Sequence, residues 1–208
     1  MLFRSVSQSR SAAHYLNNPS FTKAILSSDL HSINQKMWEL SSRALAKTIC
    51  YATLMGAGDG RVAEEARVSL KEAKEAKAKF FEQVPELPSL IGRLQQEWRK
   101  TGRISLCSGN KILVPRDYVV IPYLLQGDES QIMKKALIYI SAEVKRQKLD
   151  AMKVCDVHDE NQWDVAKDHV EALTKIFDES FKKAGEFFNY NLPIACSYNI
   201  GERWSETH

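Results

Sequence analysis

Apolar residues recur every third or fourth position through most of this chain, the spacing that lines one face of an α-helix. From Ser11 to about Leu26 the recurrence suits one or two short helices, broken at "NNP" (17–19). Ser42 is a suitable N-cap for a helix from Arg43 to about Met55, and "GAGDG" (56–60) ends it, because glycine adopts the backbone angles that stop helices. Val62, Ala66, Leu70, Ala73, Phe80 and Val84 then predict one long helix whose outer face is "KEAKEAKAK" (71–79). "PELP" (85–88) breaks it, and a further helix is expected from Ser89 to about Lys100. "RISLCSGNKILVP" (103–115) reads as a hairpin, two short β-prone runs around Ser108, Gly109 and Asn110. A helix from about Tyr123 to Lys148 follows. After it, "MKVCDVHDENQWDVA" (152–166) changes to extended runs on either side of an acidic turn, and a last helix spans about Lys167 to Lys183. Residues 1–10 are polar and serine-rich and suggest no element, and there are no internal repeats.

Composition adds bounds. At 208 residues, with 44% hydrophobic and 26% charged residues, the chain is globular, one large domain or two small ones. A formal charge of +3 gives no bulk argument for nucleic acid, so any such argument must be local. Cys50, Cys107, Cys155 and Cys196 form no CxxC pair, against a zinc ribbon or secreted disulfide framework and in keeping with a reducing compartment. No signal peptide and no membrane span are expected.

Two groups of residues carry candidate chemistry. Arg43, Lys47 and Tyr51 are spaced by four, so a forked cation, a point charge and an aromatic ring share one helical face. Alone, that face is either a surface stripe or a grip for phosphates with a ring to cover a sugar or base. Asp159 and Glu160 stand side by side in "VHDE" (157–160), and such crowding is costly unless a cation neutralises it. The pair is either a candidate magnesium site or an ordinary acidic turn.

The two groups in this order, R-x3-K-x3-Y-x4-G and then "VHDE" about a hundred residues later, resemble the family A (polymerase I type) DNA polymerases, particularly the phage branch. "AHYLNNPSFTKAILSSDLHSINQ" (13–35) is similar to the segment before that family's fingers helix, "YLLQGDESQIMKKA" (123–136) to the stretch with its minor-groove glutamine, and "GERWSETH" (201–208) to the phage C-terminal ending. The resemblance implies an α+β fold, mostly helical fingers with part of a small antiparallel palm sheet. Residues 1–27 would be a palm remnant, 28–120 the fingers and 121–208 the C-terminal palm. It implies that Arg43, Lys47, Tyr51 and His31 contact the incoming dNTP, with Lys47 the general acid for pyrophosphate. Asp159 and Glu160 would bind Mg2+, two ions in the complete enzyme, and Gln126, His158 and His208 would contact DNA.

The likeness has gaps. Where the family carries D-x-S-x-x-E-L-R, Ser5 and Arg10 match, but Phe3 stands at the aspartate and Gln8 at the glutamate. Met55, Ala52 and Pro122 are further departures, and Asp128 and Glu129 fall where the family prefers small residues. The expected function is therefore the C-terminal part of a template-directed DNA polymerase acting on primer-template DNA and dNTP. A partner polypeptide would supply the missing aspartate and cover an exposed sheet edge, and the place of action would be the cytoplasm of a phage-infected bacterial cell. The alternatives are a catalytically inactive remnant that binds nucleic acid or nucleotide, and a helical protein whose motifs coincide by chance.

Overall fold

The computed structural model describes residues 2–5, 7–27, 30–157 and 159–207, with residues 2–5, 7 and 30 described through their backbone alone. The chain divides into two compact units, one of residues 12–125 and one of residues 1–11 with 126–208.

The first unit is helical. The second half of α1 (Ser7–Leu16) leads into α2 (Pro19–Leu26), where Asn18 caps the backbone N–H of Phe21 at 2.9 Å and Pro19 occupies a first-turn position that needs no donor. Next come α3 (Leu30–Met37) and α4 (Arg43–Leu54), whose start is capped by Ser42 as expected. The single long helix expected over 62–84 is instead two, α5 (Asp59–Ala66) and α6 (Leu70–Gln83). Arg67 adopts the left-handed conformation at φ 54° and ends the first, while Ser69 and Glu72 form a reciprocal capping box that starts the second. Val62 and Phe80 are both fully buried all the same, because α5 and α6 pack side by side. Trp38 and Phe21 meet the edge of Phe80 at ring distances of 5.7 and 6.4 Å and anchor this core. The next helix, α7 (Glu86–Thr101), starts earlier than Ser89, since Pro88 is tolerated in a first turn. Gly102, at φ 69°, ends it. The expected hairpin follows as β2 (Arg103–Ser105) and β3 (Lys111–Leu113), joined in register with Ile104 opposite Ile112.

The long α8 (Val120–Gln147) runs on into the second unit. There, β4 (Ala151–Val157) and β5 (Glu160–Val165) form the expected antiparallel pair, and α9 (Val170–Phe187) packs on it. Trp163, Phe177 and Phe181 centre a core with Ile132, Ile140 and Leu173. Two strands escaped the sequence reading: β1 (Leu2–Ser5) and β6 (Cys196–Asn199). The sheet order is β4-β5-β1-β6, all antiparallel, so the N-terminal strand is interior and β4 and β6 form the edges. On the β4 edge Met152 and Val154 are exposed. The architecture is thus the expected α+β, mainly helical with a small antiparallel sheet.

Candidate nucleotide and metal sites

The orientation of α4 follows from what it buries. Ala46, Ile49, Cys50, Thr53 and Leu54 face the core, which turns Arg43 and Lys47 to solvent and leaves Tyr51 half-buried. Burial pushes the Cys50 thiol up to about 12, so it is an inert core group. His31, on α3, completes the face: its ring lies 5.5 Å from that of Tyr51, and the Lys47 ammonium lies 6.0 Å from the Tyr51 ring centroid. The His31 pKa is lowered, first by burial and then by the charges of Arg43 and Lys47. Its Nδ1 is buried without a hydrogen-bond partner among the described residues. Neither Arg43 nor Lys47 is paired with an acid among the described residues. Two unneutralised cations, a neutral imidazole and a ring edge on one surface suit a polyanion joined to a flat or cyclic group. Beyond the helix, Gly56 at φ 75° is required by its turn, and a Cβ there would lie 3.3 Å from the Tyr118 carbonyl oxygen.

The second cluster lies in the other unit. Val157 pairs with Glu160, and Asp159 lies in the tight turn between β4 and β5. Asp159 is half-buried and borders a cavity of about 400 Å3 whose other walls are Gln8, Gln126, Glu129 and Ser130. Gln126 is exposed at its rim. Glu160 is buried in β5 and does not line this cavity. The backbone of Phe3 stands opposite Asn161, in the strand beside that turn. His158 and His208 lie outside the described residues.

Asp128 and Glu129, which fall where the family prefers small residues, are both buried. Tyr190 donates its hydroxyl to Asp128 at 3.1 Å and meets the Ser11 hydroxyl at 3.0 Å. Gln8 donates Nε2 to the Glu129 carboxylate at 2.6 Å. Sequence reading therefore missed Gln8, Glu129 and Ser130 as neighbours of Asp159. The signal was present: Gln8 and Glu129 are each departures from the family pattern, and an amide where an acid is expected complements an acid where none is.

Family A polymerases generally use Mg2+, and the donor chemistry can be tested against that. Magnesium is satisfied by one or two carboxylates together with substrate phosphates and water. Asp159 can serve as such a ligand. A pair of ions needs more: among the described residues no three acidic, histidine or cysteine side chains cluster to hold a metal, and residue 3 is a phenylalanine. The described residues do not by themselves make a two-ion site.

Residues 10–206 match the profile of "DNA polymerase family A". The chain belongs to that family. Among curated members it is 32% identical over 191 residues to the DNA-directed DNA polymerase of Escherichia phage Phieco32, covering 88% of this chain and 31% of the phage protein. It is 25% identical to the enzyme of Escherichia phage T7, covering 96% of this chain and 32% of that one. It is also 25% identical to DNA polymerase I of Aquifex aeolicus, at 95% and 37% coverage. Its fold matches the polymerase domain of M. smegmatis Pol1, solved in complex with DNA primer-template and dNTP, with a TM-score of 0.85, 20% identity, and coverage of 99% of this chain and 40% of that one. This family A chain thus spans about a third of the length of the curated relatives it matches. No helix among the described residues is long and apolar enough to cross a membrane.

Proposed function

We propose that this chain supplies the nucleotide-gripping and part of the metal-binding elements for template-directed addition of dNTP to a primer 3′-end, completed by a second polypeptide that brings the aspartate for which Phe3 stands. The observation that carries the reading is the single α4 face on which Arg43, Lys47 and Tyr51 meet His31, with both cations free of acidic partners among the described residues. In this reading Arg43 and Lys47 hold the triphosphate oxygens, and Tyr51 covers the sugar and base. Lys47 also donates a proton to the departing pyrophosphate. Magnesium, when bound, supplies the Lewis acidity that activates the primer hydroxyl and neutralises the triphosphate. Asp159 is this chain's direct contribution toward it, with Glu160 the buried acid next to it in sequence, and Gln126, His158 and His208 are its contribution toward the DNA. By this reading, too, residues 1–27 and 121–208 serve as palm and 28–120 as fingers. The place of action is the cytoplasm of a phage-infected bacterial cell.

The test is primer extension by this chain mixed with a purified polypeptide carrying the rest of the polymerase fold. Extension that Asp159→Ala or Lys47→Ala abolishes is the expected result. The substitution of Phe3 favours a second reading, a nucleotide- or nucleic-acid-binding protein without chemistry. Persistent failure of the mixture to extend a primer, alongside dNTP binding that Lys47→Ala weakens, establishes that alternative.

A further inference from the structure

Strand β4 ends the four-stranded sheet, so one row of its backbone N–H and C=O groups meets no strand among the described residues. Along it Met152, Val154 and Val157 are all exposed. An open ladder carrying exposed apolar side chains pairs readily with another strand. The apolar surface continues beyond the strand, because Val154 shares the wall of a cavity of about 940 Å3 with Ile200 and Trp204, both exposed.

The residues of this edge are arranged as their own complement. From Met152 to Val157 the order is apolar, basic, apolar, cysteine, acidic, apolar. Laid antiparallel against a second copy of itself, the strand sets Lys153 opposite Asp156 twice over, with Met152 opposite Val157 and Val154 opposite Cys155. In a regular strand, residues three apart point to opposite faces, and twofold pairing would leave Lys153 and Asp156 on opposite sides of the joined sheet. Here the β4–β5 register shifts between Lys153 and Cys155, a bulge that adds one residue and returns both side chains to one face. Their ion pair within the single chain shows that they share it. Asn161 donates Nδ2 to Asp156 at 2.6 Å and fixes the carboxylate there, while leaving it half-exposed. The opposite edge, β6, has the sequence CSYN and carries no charge.

From these features we infer that β4 is the contact through which two copies of this chain join edge to edge, in the register that sets Lys153 against Asp156. A bulge and an edge lysine ordinarily keep foreign strands away. In this strand they also select the partner: a slipped register that brings Lys153 against its own copy meets like charge, whereas the matched one fuses two four-stranded sheets into a single sheet. The β4 edge thus goes to a second copy rather than to the completing polypeptide. Dimer formation needs neither nucleotide nor that polypeptide, so it can hold or fail independently of the proposed function.

The experiment is sedimentation equilibrium of the full chain, without nucleotide or DNA, over a concentration series. The natural chain is expected to show a reversible equilibrium between monomer and dimer. Lys153→Asp and Asp156→Lys are each expected to weaken it roughly tenfold or more, because like charges then face each other twice in every dimer. Mixing the two variants is expected to restore association, since every facing pair is again opposite in sign although both chains have lost the internal ion pair. A natural chain that stays monomeric overturns the inference, as do single variants that associate as well as it does. A mixture that stays dissociated while circular dichroism shows both variants folded overturns it too. Where a variant does not fold, amide exchange on the natural chain decides. Slower exchange along 152–157 in concentrated than in dilute solution supports the contact. Equal exchange in both, or protection that appears only when the completing polypeptide is added, overturns it.

Discussion

Gln8 and Glu129 are joined by a 2.6 Å hydrogen bond across 121 residues of sequence, beside Asp159. The amide stands where the resemblance places a carboxylate, and the carboxylate where it places a small side chain, so the acid in this corner of the cavity has changed element from α1 to α8. The exchange keeps one negative charge and one neutral donor in contact.

Gln8→Glu would set two carboxylates against each other in a partly buried place. A loss of about 1–3 kcal/mol is expected at pH 8. It should shrink as pH falls, because the repulsion raises the pKa of one acid in the folded state and protonation removes it. Adding Glu129→Gln should restore stability. A double variant as unstable as the sum of the two single variants in urea unfolding would refute the exchange.

His31 gives a pH signature for the α4 face. Its folded pKa lies below the ordinary 6.5, so the unfolded chain takes up the proton first as pH falls. The stability it contributes is complete above that value and is lost below it, down through the folded pKa. Lys47→Ala removes one of the charges that lower it, so its NMR titration should move upward. A triphosphate on this face should do the same, making dNTP affinity rise as pH falls toward the folded pKa of His31. A midpoint unmoved by either change would separate His31 from the face.

The break between α5 and α6 is open to direct test. Arg67 sits in the left-handed region at φ 54°, where an L side chain is strained and glycine is not. Arg67→Gly should stabilise the unit by about 1 kcal/mol, whereas Ser69→Ala should lower the melting temperature by a few degrees through loss of the capping box. A continuous helix would respond the opposite way to the glycine.

Gly185 on α9 packs so closely on Ile194 that a Cβ would lie 2.8 Å from its Cγ1. Gly185→Ala should therefore cost about 1–3 kcal/mol, and pairing it with Ile194→Val should recover part of the loss in thermal unfolding. A neutral Gly185→Ala would mean the tail containing Ile194 is held elsewhere.

What the sequence disclosed was what has local periodicity. The four-residue ladder of α4, its Ser42 cap, the β2–β3 hairpin and the β4–β5 turn were all readable because neighbours in sequence determine them. The α5–α6 break was hidden by an apolar stripe running through it, although Ser69 and Glu72 carry the S-x-x-E signature of a helix start. Strands β1 and β6 were missed because each is short and gains its partner from the opposite end of the chain: Phe3 pairs with Tyr198. Glu129 was not read as a neighbour of Asp159 for the same reason, since its partner Gln8 lies 121 residues away in sequence.

That interior placement of β1 has a consequence for synthesis. Residues 2–4 find their neighbours only at residues 160–162 and 197–199. At roughly 5–20 residues per second a ribosome needs on the order of ten to forty seconds to deliver them. The helical unit of residues 12–125 is complete long before that. Strand β1 is therefore without both of its neighbours until residues 160–199 have been made, open until then to capture by chaperones or by another chain's sheet.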